Sequence, residues 1–208
     1  MAEGDDRADA GLVIDRLRSS LAGPFTLTVR PGQCAAITGA SGSGKSLFMR
    51  MIADLDVNDG SVLLDGRDRQ AMAPDEWRRR VTYVAAEAGW WADAVKDHYP
   101  RDQIPRAASL AVRLGLEAEL MEADVARLST GERQRLALVR ALVLDPPVLL
   151  LDEPTGALDQ DSTRMVEAVL RELLDKGMAV VLVTHDAALG ERLATARYHM
   201  ADRRLSAV

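Results

Sequence analysis

Long hydrophobic runs are missing from this 208-residue chain. Its richest stretch, residues 136–151, is interrupted by Arg140 and Asp145. It falls short of the roughly 18 consecutive apolar residues that span a bilayer, so no membrane-crossing helix is expected. Cysteine is almost absent. Cys34 stands alone, which excludes an internal disulfide and a multi-cysteine metal site and leaves it as a small buried hydrophobe in an apolar strand. An excess of basic charge is missing too: 26 Lys and Arg against 32 Asp and Glu give a net charge of −6. That is the opposite of the electrostatic footprint of a dedicated nucleic-acid binder, and no nucleic-acid partner is expected. The start, Met1-Ala-Glu-Gly-Asp-Asp-Arg, is acidic and polar where a secretory signal is basic and then apolar, which points to a cytoplasmic location.

What is present suffices for one well-filled core. The chain is 48% hydrophobic and 28% charged, enough to build a single domain across residues 1–208 with a subdomain. The first ten residues read as a tail. Short apolar runs at residues 12–14, 25–29, 34–38, 61–65, 81–85, 148–151 and 179–184 predict strands. Between them, helical spacing follows residue 46 and recurs at 131–144, 162–174 and 187–194. Residues 105–128, rich in Ala, Leu, Glu and Arg, predict short helices in a layer of their own, and the turn at Asp202 and Arg203 predicts a small terminal hairpin. Apolar strands alternating with helices predict an α/β fold, a mostly parallel sheet with helices on both faces.

Two elements carry chemistry. Gly39-Ala-Ser-Gly-Ser-Gly-Lys-Ser46 lies after a predicted strand and before a predicted helix, the context in which this glycine pattern cradles phosphate. The glycines turn backbone N–H groups inward and the helix start adds partial positive charge. Lys45 then neutralises β- and γ-phosphate, and Ser46 ligates Mg²⁺. A nucleoside triphosphate is the expected ligand. Val148-Leu-Leu-Leu-Asp152-Glu153 buries a strand and delivers two acids at its carboxyl end, beside the glycine loop in such sheets. Asp152 is expected to hold Mg²⁺ through its water shell, and Glu153 to polarise an attacking water.

Over nearly its whole length the chain resembles the ATP-binding cassette of an ABC transporter. Leu128-Ser-Thr-Gly-Glu132 resembles that family's signature, usually Leu-Ser-Gly-Gly-Gln, and the helix after it continues in the same way. Leu151-Asp-Glu-Pro-Thr155 is similar to the extended Walker B segment, Gly156-Ala-Leu-Asp159 to the D-loop, and Val183-Thr-His185-Asp to the switch-histidine segment. The resemblance implies a P-loop NTPase (RecA-like) core with an antiparallel β portion near the N-terminus and a helical subdomain inserted at about residues 87–128. It implies ATP and Mg²⁺ as cofactors. Gly39, Ala40, Ser41, Gly42, Ser43, Gly44, Lys45, Ser46 and Leu47 would surround the phosphates, with Ser46 and Asp152 on the metal. Glu153 would be the general base, with His185 sensing the γ-phosphate. Two cassettes would stack head to tail, so that Ser129, Thr130, Gly131 and Glu132 act on the opposite subunit's nucleotide and Asp159 couples the two sites. A hydroxyl, a glycine and a helix start at residues 129–131 suit a γ-phosphate, although the same four residues also make an ordinary helix cap. The implied partners are a second, identical cassette and an integral-membrane permease that holds the protein at the inner face of the cell membrane. The short subdomain is similar to small bacterial cassettes of metal or iron efflux. Rival readings are a soluble non-transport ABC ATPase, a P-loop kinase, and an ATP-binding regulatory module with little turnover.

Two positions depart from the family pattern. The usual aromatic upstream of the glycine loop is absent, with Ser19 or a neighbour in its place. Arg16 or Arg18 either forms a cationic platform for the base or stays solvated. Where a metal-ligating glutamine ends the strand before the subdomain, the chain has Ala86, followed by Glu87 as an anionic metal ligand or a surface acid. Trp90 and Trp91 follow directly, either to anchor the permease or to pack under the helical layer. Trp77-Arg-Arg-Arg80 reads as a solvated basic face suited to anionic lipid headgroups.

Overall fold

The computed structural model describes residues 11–208; the tail expected at residues 1–10 lies outside them. In chain order the elements are β1 (Leu12–Arg18), β2 (Phe25–Val29), β3 (Cys34–Thr38), α1 (Lys45–Ile52), β4 (Asp59–Leu64), β5 (Arg67–Asp68), α2 (Pro74–Arg80), β6 (Val81–Val84), α3 (Ile104–Arg113), α4 (Thr130–Leu142), β7 (Val148–Asp152), α5 (Gln160–Asp175), β8 (Ala179–Val183), α6 (Ala187–Leu193), β9 (Ala196–Ala201) and β10 (Arg204–Ala207). The central sheet has the order β10-β9-β3-β8-β7-β6. It is parallel from β9 to β6, with β10 antiparallel on its edge. The antiparallel portion expected near the N-terminus is a separate sheet, β2-β1-β4-β5.

β3, β7 and β8 are continuous apolar runs because both faces of the central sheet are covered. Strand alternation sends Val148 and Leu150 of β7, with Val181 and Val183 of β8, toward α1 and the antiparallel sheet, where Phe25, Phe48, Met51 and Ile52 complete one core. Leu149 and Leu151, with Val180 and Leu182, face the other way, toward Leu136 and Val139 of α4 and Val166 and Leu170 of α5. Cys34 is fully buried in that second core, and burial pushes its thiol up to about 12, as a small structural hydrophobe requires. The parity that separates the cores also assigns the acids: Asp152, two residues beyond Leu150, leaves β7 on the face occupied by α1.

Three parts differ from the sequence expectation. Pro74-Asp-Glu at its start and three arginines at its end make α2 a short, charge-complemented helix. The basic segment is therefore not a solvated face throughout. Trp77 is fully buried and donates from Nε1 to the Ile52 carbonyl at 2.9 Å, while Arg79 and Arg80 pair with Asp75 and Asp65 at 2.8 and 3.6 Å. β9 is the second departure: it joins the parallel sheet beside β3 rather than forming only a terminal hairpin, and of its side chains only Met200 is buried. The third is the helical layer. α3 and the 3₁₀ turns around it bury Val95, Tyr99, Leu114 and Met121 in the same core as Leu136 and Leu149, so the layer is continuous with the sheet's lower face.

Candidate functional site

The glycine loop joins β3 to α1. A side chain at Gly39, where φ is +148°, would put its Cβ 2.2 Å from the Met200 carbonyl oxygen. Gly44, at φ +106°, caps α1 without a side-chain hydrogen bond, and no acid lies in the first turn. The amides at the start of α1 are thus left for an anion. Lys45, 7% exposed, donates from Nζ to the carbonyls of Gly39 and Ala40 at 2.8 and 2.9 Å, which lays the ammonium along the loop it serves. Ser41, Gly42, Gly44, Lys45, Ser46 and Leu47 line a cavity of about 400 Å³ together with Asp152, Glu153 and His185. Ser43 faces the loop interior, its buried Oγ without a partner and close to Gly39.

The strand end then separates its two acids. Asp152 is 3% exposed and accepts a hydrogen bond at Oδ2 from the Tyr83 hydroxyl at 3.0 Å. Burial, and next the neighbouring carboxylate, push the Tyr83 phenol well above its ordinary value, so it stays protonated and donates. One carboxylate oxygen remains for a cation beside the Ser46 hydroxyl. Among the described residues no group of three or more His, Cys, Asp or Glu is gathered for a metal. The donor set present, one carboxylate and one hydroxyl, fits Mg²⁺, which takes its remaining ligands from phosphate and water.

Glu153 turns out of the sheet at once, with φ +50° and its N–H donating to the Val183 carbonyl at 2.9 Å. Its Oε2 accepts the His185 N–H at 3.1 Å. Its Oε1 is buried without a hydrogen-bond partner and lies 3.2 Å from His185 Nε2, outside hydrogen-bond alignment. A carboxylate anchored at one oxygen by the His185 backbone N–H, at the wall of the cavity that the glycine loop lines, has the geometry of a base. Beyond Glu153 and His185 the cavity opens into a larger trough of about 780 Å³ bordered by Thr155, Gly156, Leu158 and Gln160.

The signature residues do not reach this chain's own phosphate loop. Ser129 caps α4: its Oγ accepts the Glu132 N–H at 3.2 Å, while its amide and hydroxyl both donate to Glu132 Oε2 at 2.7 Å. These bonds hold the Glu132 carboxyl below its ordinary value of 4.5. Thr130 faces a different cavity, shared with Glu87 and Trp90. Gly131 does permit a close approach, but to the chain's own D-loop, since a Cβ there would lie 3.2 Å from the Ala157 carbonyl. Asp159 caps α5 by accepting the Ser162 N–H at 2.7 Å, which holds its carboxyl below its ordinary value.

Other expected residues fall elsewhere. Ala86 lines the phosphate cavity, whereas Glu87 is exposed and lines the neighbouring one, so Glu87 is not brought together with Ser46 and Asp152. Arg16 and Arg18 border a separate hollow with Asp15 and Gly60, and the arginine at the phosphate cavity is instead Arg203. The two tryptophans divide their roles. Trp90 packs against the lower core while Trp91 is 70% exposed; Arg140 lies over both rings at 5.0 and 4.8 Å. Two further residues escaped the sequence reading. Tyr83 is in register with Leu150 and so shares Asp152's face, a relation visible only once β6 is known to flank β7. Gln134, nearly buried, donates to the Glu153 carbonyl at 2.6 Å and accepts the Ala157 N–H at 3.2 Å. It ties α4, the catalytic strand end and the D-loop together, and nothing in its spacing marks it.

A phosphate loop, a buried strand-end acid and a histidine-backed glutamate in a two-sheet α/β fold define a nucleotide-binding class, and comparison with known proteins places the chain within it. The family model described as ABC transporter matches residues 23–156, and the chain belongs to that family. It is 38% identical over 176 residues to the macrolide export ATP-binding/permease protein MacB of Escherichia coli, covering 77% of this chain and 27% of that protein. The chain thus spans about a quarter of the length of that relative. It is 36% identical over 172 residues to the probable iron export ATP-binding protein FetA of Escherichia coli strain K12, covering 78% of this chain and 76% of that one. In fold it matches a dimeric ATP-binding cassette solved in a post-hydrolysis state with ADP and Pi, at TM-score 0.83 and 23% identity over 94% of this chain and 96% of that one. It also matches an ATP-binding subunit of an ABC transporter at TM-score 0.85 and 21% identity, over 96% and 90% of the two chains.

Proposed function

We propose that the protein hydrolyses ATP as one of a pair of cassettes and that this cycle drives a separate membrane permease. One observation carries the reading: Lys45, Ser46, Asp152, Glu153 and His185 converge on a single cavity. Lys45 and the amides of the loop bind the phosphates. Ser46 and Asp152 would hold Mg²⁺, which supplies charge neutralisation at the phosphate oxygens. The Glu153 carboxylate takes the proton of the attacking water, and His185 holds the carboxylate and the terminal phosphate in line.

The trough beyond Glu153 and His185 leaves the γ-phosphate end open to a second subunit. A partner's Ser129 hydroxyl, Gly131 amide and α4 N-terminus suit that phosphate, and Asp159 stands at the rim to couple the sites. For the permease, the exposed Trp91 beside Arg140, above a hollow lined by Gly89, Ala141 and Leu144, offers an aromatic and cationic anchor. Among the described residues no helix is long and apolar enough to cross a membrane, so attachment at the inner face of the cell membrane would come through that partner. Two relatives bear export in their names. The FetA match over 76% of its length favours a stand-alone export cassette, with iron or another metal as a cargo class. Steady-state phosphate release tests the core of the reading. Wild-type protein should release phosphate from ATP, and Lys45→Ala and Glu153→Gln should each lower the rate at least about a hundredfold; equal rates in all three would reject it.

A further inference from the structure

We propose that Arg203, on the turn between β9 and β10, together with Leu21, holds the purine base of the nucleotide; this rests on the nucleotide-binding reading above. The sheet order puts β8 and β7, which lead into His185, Asp152 and Glu153, on one side of β3, and β9 with its hairpin on the other. The phosphate loop follows β3. A triphosphate whose terminal phosphate meets Glu153 and His185 therefore points its nucleoside toward the β9–β10 side. There the cavity ends in Leu21 and Arg203.

Arg203 is built into that position. Its Nη1 donates to the Leu21 carbonyl at 2.7 Å, its own carbonyl accepts the Gly23 N–H at 3.2 Å, and its Cγ would lie 3.6 Å from a Cβ on Gly44. The stem is thus laid along the phosphate loop while the rest of the guanidinium remains exposed. Asp202 and Arg203 both have positive φ, +48° and +59°, a conformation in which glycine is the unstrained choice. The bond to Leu21 holds the side chain at the cavity mouth in spite of that backbone. Leu21, 58% exposed, offers apolar contact to one side of a flat ring, and a guanidinium stacks on aromatic faces. Among the described residues no Phe, Tyr or Trp lines this cavity. Stacking reads the face of either purine, so ATP and GTP are both ligands of this site.

Titration of the full chain with ATP, GTP and inorganic tripolyphosphate, using wild type and Arg203→Gly, tests the proposal. Glycine suits φ +59°, so the hairpin is kept and its melting temperature should not fall. Arg203→Gly should weaken ATP and GTP binding at least about threefold and leave tripolyphosphate unchanged. Equal weakening of all three ligands would make Arg203 a phosphate contact and overturn the base assignment, as would no change in any. Wild type that binds ATP less than a tenth as tightly as tripolyphosphate would overturn it too. Wild type that binds none of the three would overturn the nucleotide-binding reading itself and this proposal with it.

Discussion

Gln134→Ala should unsettle the catalytic strand end without touching any ligand. The substitution strips a buried donor from the Glu153 carbonyl, at 2.6 Å, and a buried acceptor from the Ala157 amide, at 3.2 Å. The Ala157 amide is left unsatisfied, at about 1–3 kcal/mol, while the Glu153 carbonyl keeps the Gly156 N–H at 3.1 Å. The cavity of about 310 Å³ that Gln134 lines admits water to part of the gap, which puts the cost near the lower end, about 1 kcal/mol. For a chain of this size that is a fall in melting temperature of about 2–4 °C. Turnover should fall further than stability suggests. Glu153 holds a left-handed backbone at φ +50°, which costs about 1–2 kcal/mol and persists only while its surroundings enforce it. Loss of one of the two hydrogen bonds on its carbonyl lets the carboxylate drift from the water it must polarise, and about a tenfold drop in kcat is expected. Gln134→Glu, which keeps an acceptor for Ala157 but sets a carboxylate against the Glu153 carbonyl, should be no better at neutral pH. Melting by circular dichroism and phosphate release on the same preparations read both quantities. A Gln134→Ala protein melting within about 1 °C of wild type and turning over at its rate would refute the reasoning.

Tyr83→Phe removes the 3.0 Å hydrogen bond to a nearly buried carboxylate and should cost the free protein about 1–2 kcal/mol. Thermal melts should show part of that deficit recovered in Mg-ATP, because a bound cation compensates Asp152; the same deficit with and without ligand would count against Asp152 as the metal residue. Glu132 gives a pH test. Its carboxyl is held below 4.5 by Ser129, so its stabilising effect is complete above that pH and is lost as pH falls through the lower folded value. Glutamine also serves at this capping position, so Glu132→Gln should melt slightly below wild type at about pH 7, with the gap narrowing as the pH falls below the ordinary carboxyl range. A gap that widens on acidification would contradict the capping role.

The core of the fold was legible because its strands are doubly buried. Residues 148–151 and 179–183 are unbroken apolar runs, and their identity as parallel strands needed no partner information. The phosphate loop was legible for the same local reason, since its glycines and Lys45 act on their own backbone. β9 was not read as a sheet strand, because its side chains are mostly exposed and a strand that buries only Met200 carries no alternation. α2 was obscured by its arginines: charge dominated the reading, while burial of Trp77 depends on Ile52, 25 residues away. The arginine at the phosphate cavity escaped the reading for a related reason. Arg16 and Arg18 are near the loop in sequence, but Arg203 reaches it from 182 residues beyond Leu21 through a turn whose partner strand only the sheet order reveals. Gln134 and Tyr83 likewise act across element boundaries, which spacing along one element cannot show.

Sedimentation of Glu153→Gln protein in Mg-ATP, with ADP for comparison, tests the central claim most directly. Removing the base should trap the ATP-bound pair that hydrolysis otherwise dissolves, so a dimer is expected with ATP and a monomer with ADP. A monomer in both, with nucleotide binding shown to be intact, would contradict a cassette that closes on a second copy of itself.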